Sequence, residues 1–401
     1  MSVRESQSSA DYLTPEAQAL IDKARALVPR LAERAARCEA DGKVPEETIR
    51  ELDESGLLRI LQPKRWGGFE MDPRVFYTVQ MTLAEGCAST AWVFGVMGVH
   101  YWQLPLFPEQ AQQDVWGKDP ATHIASTYMP VGKAEKVEGG YRFSGHWGFS
   151  SGCEHAQWAF LGGLLPTPDG KSIEHATFLV PRADFRIVKN WDVLGLRGTG
   201  SHDIVVENAF VPEHRTQRTN NHTLEGCPGR AVNPGWLYRI PFTQVFQRAV
   251  STAALGALYG AIDAFAQRSA THIGKHGGKT AEDPNAQLAV AEAMMVADEQ
   301  KLVLLRNFEP IVEAAKHSTE MDVEARLLQR AQSARVTKVC ARELDDLLRA
   351  CAGQGLYKNN AIERFFRDTH QARGHIANNA DAYARAYGAV RLGLPNMDPF
   401  V

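Results

Sequence analysis

The 401-residue chain is 44% hydrophobic and 23% charged, more apolar material than one small domain needs, so two or three subdomains with a large core are expected. Its 44 basic and 47 acidic side chains leave a formal charge of −3, which argues against nucleic acid or a membrane surface and points to a small-molecule ligand. The polar first eleven residues lack an apolar signal core, no run of 18 apolar residues follows, and six scattered cysteines lack a CxxC spacing, so a soluble cytoplasmic protein with free or buried thiols is expected.

In chain order, Ala17, Leu20, Ile21, Ala24, Leu27, Val28, Leu31 and Ala35 recur at helical spacing, with Thr14 as N-cap, Pro15 just inside the helix and Gly56 stopping a second helix. Helices are predicted next over 73–85, 89–103 and 108–116, completing an N-terminal helical domain at 1–121. From Thr122 the pattern becomes short β-branched and aromatic runs separated by Gly, Pro, Asp or Asn, with hairpin turns at Glu138-Gly139-Gly140 and Pro168-Asp169-Gly170-Lys171. Residues 122–215 therefore read as a central antiparallel barrel or sandwich. An irregular connection at 216–240, containing Asn220-Asn221-His222, leads to long amphipathic helices over 248–270, 285–315, 323–351 and 360–387, a C-terminal four-helix bundle within 216–401.

Trp147-Gly148-Phe149-Ser150-Ser151-Gly152-Cys153-Glu154-His155 combines flat aromatic surface, two small hydroxyls and a glycine, which suits a planar heterocycle. His370 and His375 are five apart, roughly 140° around a helix, so they do not share a metal, and no metal site is expected. His123, His146, His202 and His276 read as solvated. No Gly-x-Gly-x-x-Gly follows a strand to open a helix, so the chain lacks the means to take hydride from a nicotinamide, and a separate reductase is implied for any redox role.

The α, then β, then α-bundle order resembles the acyl-CoA dehydrogenase fold, an α+β multidomain architecture in which flavin lies between the β domain and the C-terminal bundle. No convincing glutamate base stands out in the bundle, which weakens a dehydrogenase reading. Gln62-Pro63-x-x-Trp66-Gly67-Gly68, Gly98-Val99-His100-x-Trp102, Trp147-x-x-Ser150-Ser151-Gly152-Cys153-x-His155, Val193 through Ser201, and Arg364-x-x-Arg367-Asp368-x-His370-x-x-x-x-His375 occur in order. Together they resemble the oxygenase components of two-component flavin-dependent aromatic monooxygenases, the kind that includes 4-hydroxyphenylacetate 3-hydroxylase and the phenol hydroxylase of seco-steroid degradation.

The resemblance implies hydroxylation of a phenol ortho to its hydroxyl through a C4a-hydroperoxyflavin. FMNH2 or FADH2 would arrive from an NAD(P)H:flavin reductase, O2 would be the cosubstrate, and the oxygenase would be a homotetramer. Ser151 is expected to be the hydroxyl near flavin N5, with Ser150 beside it and Trp147, Phe149 and Trp92 against the ring. His100, a group able to take the phenol proton, is expected at the phenolic oxygen with Ser126, and His375 near the oxygen adduct. Arg197, Thr199 and Ser201 lie in a loop whose glycines would let the backbone approach a flavin phosphate or pyrimidine closely. Arg364, Arg367 and Asp368 read as a structural ion-pair group. A bulky apolar phenol is favoured as substrate. The alternatives are an acyl-CoA dehydrogenase or nitroalkane-oxidase-like flavoprotein, and a non-catalytic flavin-binding relative.

Overall fold

The computed structural model describes residues 11–167, 169–218, 226–273 and 277–398, so Pro168, His276 and the Asn220-Asn221-His222 turn lie outside the described residues. Thr14 caps α1 (Pro15–Asp41) by accepting from the Ala17 N–H at 3.1 Å, and Ala17, Leu20, Ala24, Leu27, Leu31, Ala35 and Cys38 form its buried stripe. Four helices follow, α2 (Glu46–Glu54), α3 (Pro73–Ala84), α4 (Ala88–Gln103) and α5 (Glu109–Trp116). Every residue of α4 is buried, which makes it the central helix of the molecule rather than an amphipathic one.

The β region holds β1 (Ile124–Val137), β2 (Gly140–Ser150), β3 (Trp158–Pro166), β4 (Ile173–Pro181), β5 (Arg186–Val188), β6 (His202–Pro212) and β7 (Thr216–Arg218), in the order β5-β6-β2-β1-β3-β4-β7. Residues 124–128 and 134–137, which the sequence separates, are one strand with an irregularity between Thr127 and Gly132. Its first half pairs with β3 and its second half with β2, so β1 passes from one layer to the other. The expectation of a wholly antiparallel domain needs correcting at one pair: β1 and β3 run parallel. Phe143, Trp147, Leu161, Phe178, Ile204 and Val206 fill the space between the layers.

The C-terminal part comprises α6 (Phe242–Ala249), α7 (Thr252–Thr271), α8 (Pro284–His317), α9 (Val323–Ala350), α10 (Ala361–Arg373) and α11 (Ala380–Arg391). The apolar stretch Phe242–Thr271 is long enough to cross a bilayer, but 83% of its apolar 18-residue window is buried within the fold. The fourth bundle helix, expected as one continuous element, is interrupted after Gly374. Buried Asn378 donates to the Ala372 and Val250 carbonyls at 2.8 Å, and Asn379 caps α11 through the Ala382 N–H, so two side-chain amides replace the helical bonds at the corner. His375 therefore stands on a sharp corner, not on a helix.

Candidate functional site

A cavity of about 730 Å³ lies between the β region, α4, α6 and the α10–α11 corner. Trp92, Val96 and Gln103 give α4 one wall, running lengthwise, and Leu106 continues it. No carboxylate lines the cavity among the described residues, and its wall is mainly apolar.

At one end, three separate stretches of chain meet in a directed hydrogen-bond chain. The Trp92 indole N–H donates to Ser151 Oγ at 3.0 Å, Ser151 and Ser201 are 2.7 Å apart, and Ser201 and Thr199 are 2.6 Å apart. Thr199 donates to the Leu196 carbonyl at 2.8 Å, which uses its only proton. Ser201 must then donate to Thr199, and Ser151 to Ser201. Ser151 Oγ is left with one lone pair and no proton to give, so a ligand there meets an acceptor.

His375 belongs to the same end: its ring stands edge-on to Trp92 with centroids 5.7 Å apart. Its Nδ1 accepts from the Ala377 N–H at 3.1 Å, so the neutral ring carries its proton on Nε2 as a donor, and burial pushes its pKa down. Phe149 and Trp191 also line this end, with ring centroids 5.9 Å apart. Phe149 has φ 65°, a left-handed conformation that a bulky side chain seldom adopts, and it is 66% exposed.

Farther along the cavity, Ser126, Tyr128 and Gln103 form a polar strip in which the Tyr128 hydroxyl donates to Gln103 Oε1. Burial pushes the Tyr128 pKa up, so it remains a neutral donor. His100 lies just behind this wall rather than on it. Its Nδ1–H donates to the Ile124 carbonyl at 2.6 Å and its ring packs edge-on to Phe160. That bond fixes the tautomer and leaves Nε2 as a buried acceptor with no partner, and burial pushes the pKa down to about 4.

Several expected residues are elsewhere. Trp147 is fully buried between the β layers, where its indole N–H is shared by the Met129 and Gly162 carbonyls at 3.1 and 2.8 Å, so it does not face the cavity. Ser150 is also fully buried off the cavity wall, and its hydroxyl has no partner. Arg197 pairs with Asp192 at 3.0 Å and the Val193 carbonyl at 2.9 Å, away from the cavity. The loop glycines serve packing rather than ligand approach: a Cβ on Gly195 would lie 2.0 Å from the Arg367 carbonyl oxygen, and one on Gly198 2.3 Å from Cys38 Sγ.

The loop is tied down by the Arg364-Arg367-Asp368 group, as its structural reading requires. Arg364 and Arg367 both bond Glu39, and Asp368 accepts from the Leu196 N–H at 2.6 Å, with its pKa pushed up to about 7 by burial. Among the histidines expected to be solvated, His146 is exposed. His123 is buried between Tyr101 and Asp53, at 2.9 and 3.1 Å, and His202 is also buried. Gln103, Tyr128, Trp191 and Arg230 line the cavity without having been singled out, since none belongs to a local pattern.

Models of the acyl-CoA dehydrogenase N-terminal and C-terminal domains match residues 14–122 and 249–380. The oxygenase subunit HsaA of a flavin-dependent monooxygenase from Rhodococcus jostii is 38% identical over 382 residues, covering 94% of this chain and 99% of the relative. The oxygenase component of an FADH(2)-dependent resorcinol hydroxylase from a Rhizobium species is 33% identical, covering 90% of each chain. The crystal structure of 3-HSA hydroxylase from a Rhodococcus species superposes with a TM-score of 0.91 at 36% identity, covering 98% of this chain and 100% of that one.

Proposed function

The chain belongs to the oxygenase components of flavin-dependent monooxygenases built on the acyl-CoA dehydrogenase fold, and from that premise we propose that it hydroxylates a bulky phenol ortho to its hydroxyl, using reduced FAD delivered by a separate NAD(P)H:flavin reductase. The observation that carries the reading is the directed chain from Trp92 to the Leu196 carbonyl, which leaves Ser151 Oγ an acceptor at the edge of a large apolar cavity. A reduced flavin presents an N–H at N5, so its central ring and this hydroxyl are complementary, and the residues fit the group. FAD rather than FMN is favoured by the FADH(2) dependence named for the resorcinol relative.

What the bound reduced flavin supplies is the activation of O2 and the transfer of one oxygen atom to the ring; the second leaves as water. The protein's own contributions are positioning, exclusion of water and placement of protons. Ser151, held from both sides, fixes the flavin edge without offering a competing proton. His375 Nε2–H supplies a donor on the same side as Trp92. The phenol occupies the stretch beside Ser126, Tyr128 and Gln103, where His100 Nε2 is the nearby acceptor for its proton. Taking that proton makes the ring electron-rich at the ortho carbon.

The dehydrogenase alternative needs a carboxylate base in the cavity, and none lines it among the described residues. We place the protein in the cytoplasm, a setting consistent with six cysteines that are buried and form no disulfide. We expect a homotetramer: Leu288, Met295 and Leu302 are exposed at seven-residue intervals along one face of α8, a stripe suited to a second copy.

The test is a reconstituted assay with a generic flavin reductase, NADH, either flavin and a panel of phenols. Catechol formed in near-equal amount to oxygen consumed, more with FAD than FMN, is the expected result. Flavin reduced directly by an acyl-CoA without any reductase would overturn the reading.

A further inference from the structure

Arg230 stands at the end of the cavity remote from Ser151, with no counter-charge among the described residues. Of its five N–H groups only Nε–H is used, donating to the Tyr238 carbonyl at 2.9 Å; Nη1 is buried without a partner, and no carboxylate pairs with the guanidinium among the described residues. The neighbouring Arg218 contrasts with it, being neutralised by Glu174 and bonded to the Pro166 carbonyl. Burial depresses the Arg230 pKa, with Cys227 opposing the shift and the nearby Arg239 charge adding to it. A half-buried cation left this way is costly unless something anionic joins it.

The position of Arg230 is fixed by its surroundings. Gly229 packs against the Pro105 and Phe107 carbonyls, and Asn233 Nδ2 donates to the Pro105 carbonyl at 3.0 Å. Gln217 reaches the Leu106 carbonyl at 3.4 Å and Cys227 Sγ at 3.6 Å. Trp92 and Gln103 are eleven residues apart on α4, roughly 16 Å along the axis, and Leu106 lies beyond. The cavity is therefore elongated, with the Ser151 hydroxyl at one end and the unneutralised guanidinium at the other.

We infer that Arg230 receives a carboxylate carried by the phenol at the end remote from its hydroxyl, with Gln217 beside it as a second polar partner, and that this residue sets substrate specificity. The inference rests on the phenol-hydroxylase reading above and departs from the wholly apolar phenol that the sequence favours, giving the substrate an acidic tail. Arg230 is a binding residue here and takes no part in oxygen transfer.

The test compares para-hydroxyphenylalkanoates of graded chain length with their primary carboxamides, measured for hydroxylation with the reductase present and for equilibrium binding by tryptophan fluorescence. The carboxylate should be preferred by roughly ten- to a hundredfold in kcat/KM at the best chain length, through KM rather than kcat. Arg230→Met should bring that ratio to about one, by raising KM for the carboxylates far more than for the carboxamides, and Arg230→Lys should restore part of the preference. Equal losses on both members of each pair would assign Arg230 a structural role and overturn the inference. So would a wild-type enzyme that accepts carboxamides as readily as carboxylates, a result that needs no variant to fold. A carboxylate preference in binding with no hydroxylation of any phenol would support the Arg230 assignment and sink the hydroxylase reading instead.

Discussion

Around Ser151 the side-chain hydroxyls are used by one another, in a chain of contacts between 2.6 and 3.0 Å that leaves each group a defined direction, whereas His100 Nε2 and the Arg230 Nη1 nitrogen have no partner. The first region is organised before any ligand arrives, which is what holding a reactive adduct requires, since reorganisation at that moment would cost rate. The second region keeps polar valence in reserve, and a substrate recovers that deferred cost on binding. The two imidazoles sharpen the contrast. Hydrogen bonds at Nδ1 fix opposite tautomers, so His375 offers a donor at Nε2 and His100 an acceptor.

The largest expected effect separates the two regions directly. His100→Ala should lower hydroxylation by roughly 10²–10⁴-fold while the rate of reduced-flavin oxidation stays close to wild type. Normal hydroxylation with slow flavin oxidation would break the comparison. A second effect is on stability. The His100 pKa falls from 6.5 in the unfolded chain to about 4 in the fold, so neutral His100 costs nothing above pH 6.5. Between there and about pH 4 the unfolded chain binds the extra proton and stability declines, by on the order of 3 kcal/mol at the lower end. Urea melts of wild type and His100→Gln across that window should converge if this histidine is the cause.

Ser151→Ala should raise H2O2 released per catechol by about tenfold, the scale of one lost hydrogen bond to a bound group, with substrate binding little changed. Unchanged coupling would show that the ordered end is not what protects the oxygen chemistry. The smallest effect is expected from Arg197→Ala, less than about threefold in any kinetic constant, because an exposed ion pair contributes little. A large loss of flavin affinity would return that arginine to the cofactor.

Much of the architecture was legible because it is local: the Thr14 cap, the stripe from Ala17 to Cys38 and the change to β spacing near Thr122 each depend on neighbours in sequence. The parallel pairing of β1 with β3 is non-local, and nothing in either strand announces it. At the site, resemblance pointed to Ser151 and His375, helical spacing to Trp92 and a glycine-rich loop to Thr199 and Ser201, and these residues are neighbours in space. Trp147 and Phe149 show where such reasoning stops. Regular pleating would put positions two apart on one face, but the left-handed backbone at Phe149 breaks the alternation, leaving Trp147 inside and Phe149 outside. The corner at His375 was hidden for a related reason: the helical pattern continues through Gly374, and the side-chain amides of Asn378 and Asn379 end it. Gln103 and Arg230 carry no local signature, since their importance lies in what the fold places opposite them.

Because α4 flanks the cavity from Trp92 to Gln103, it acts as a ruler against which ligands are measured in helical turns. Changes at Val96 alter girth midway, and changes near Leu106 alter reach, while the hydroxyl chain at the opposite end is untouched. Lineages sharing this scaffold have a simple route to new substrates, by regrading one end of the ruler while inheriting the oxygen chemistry intact.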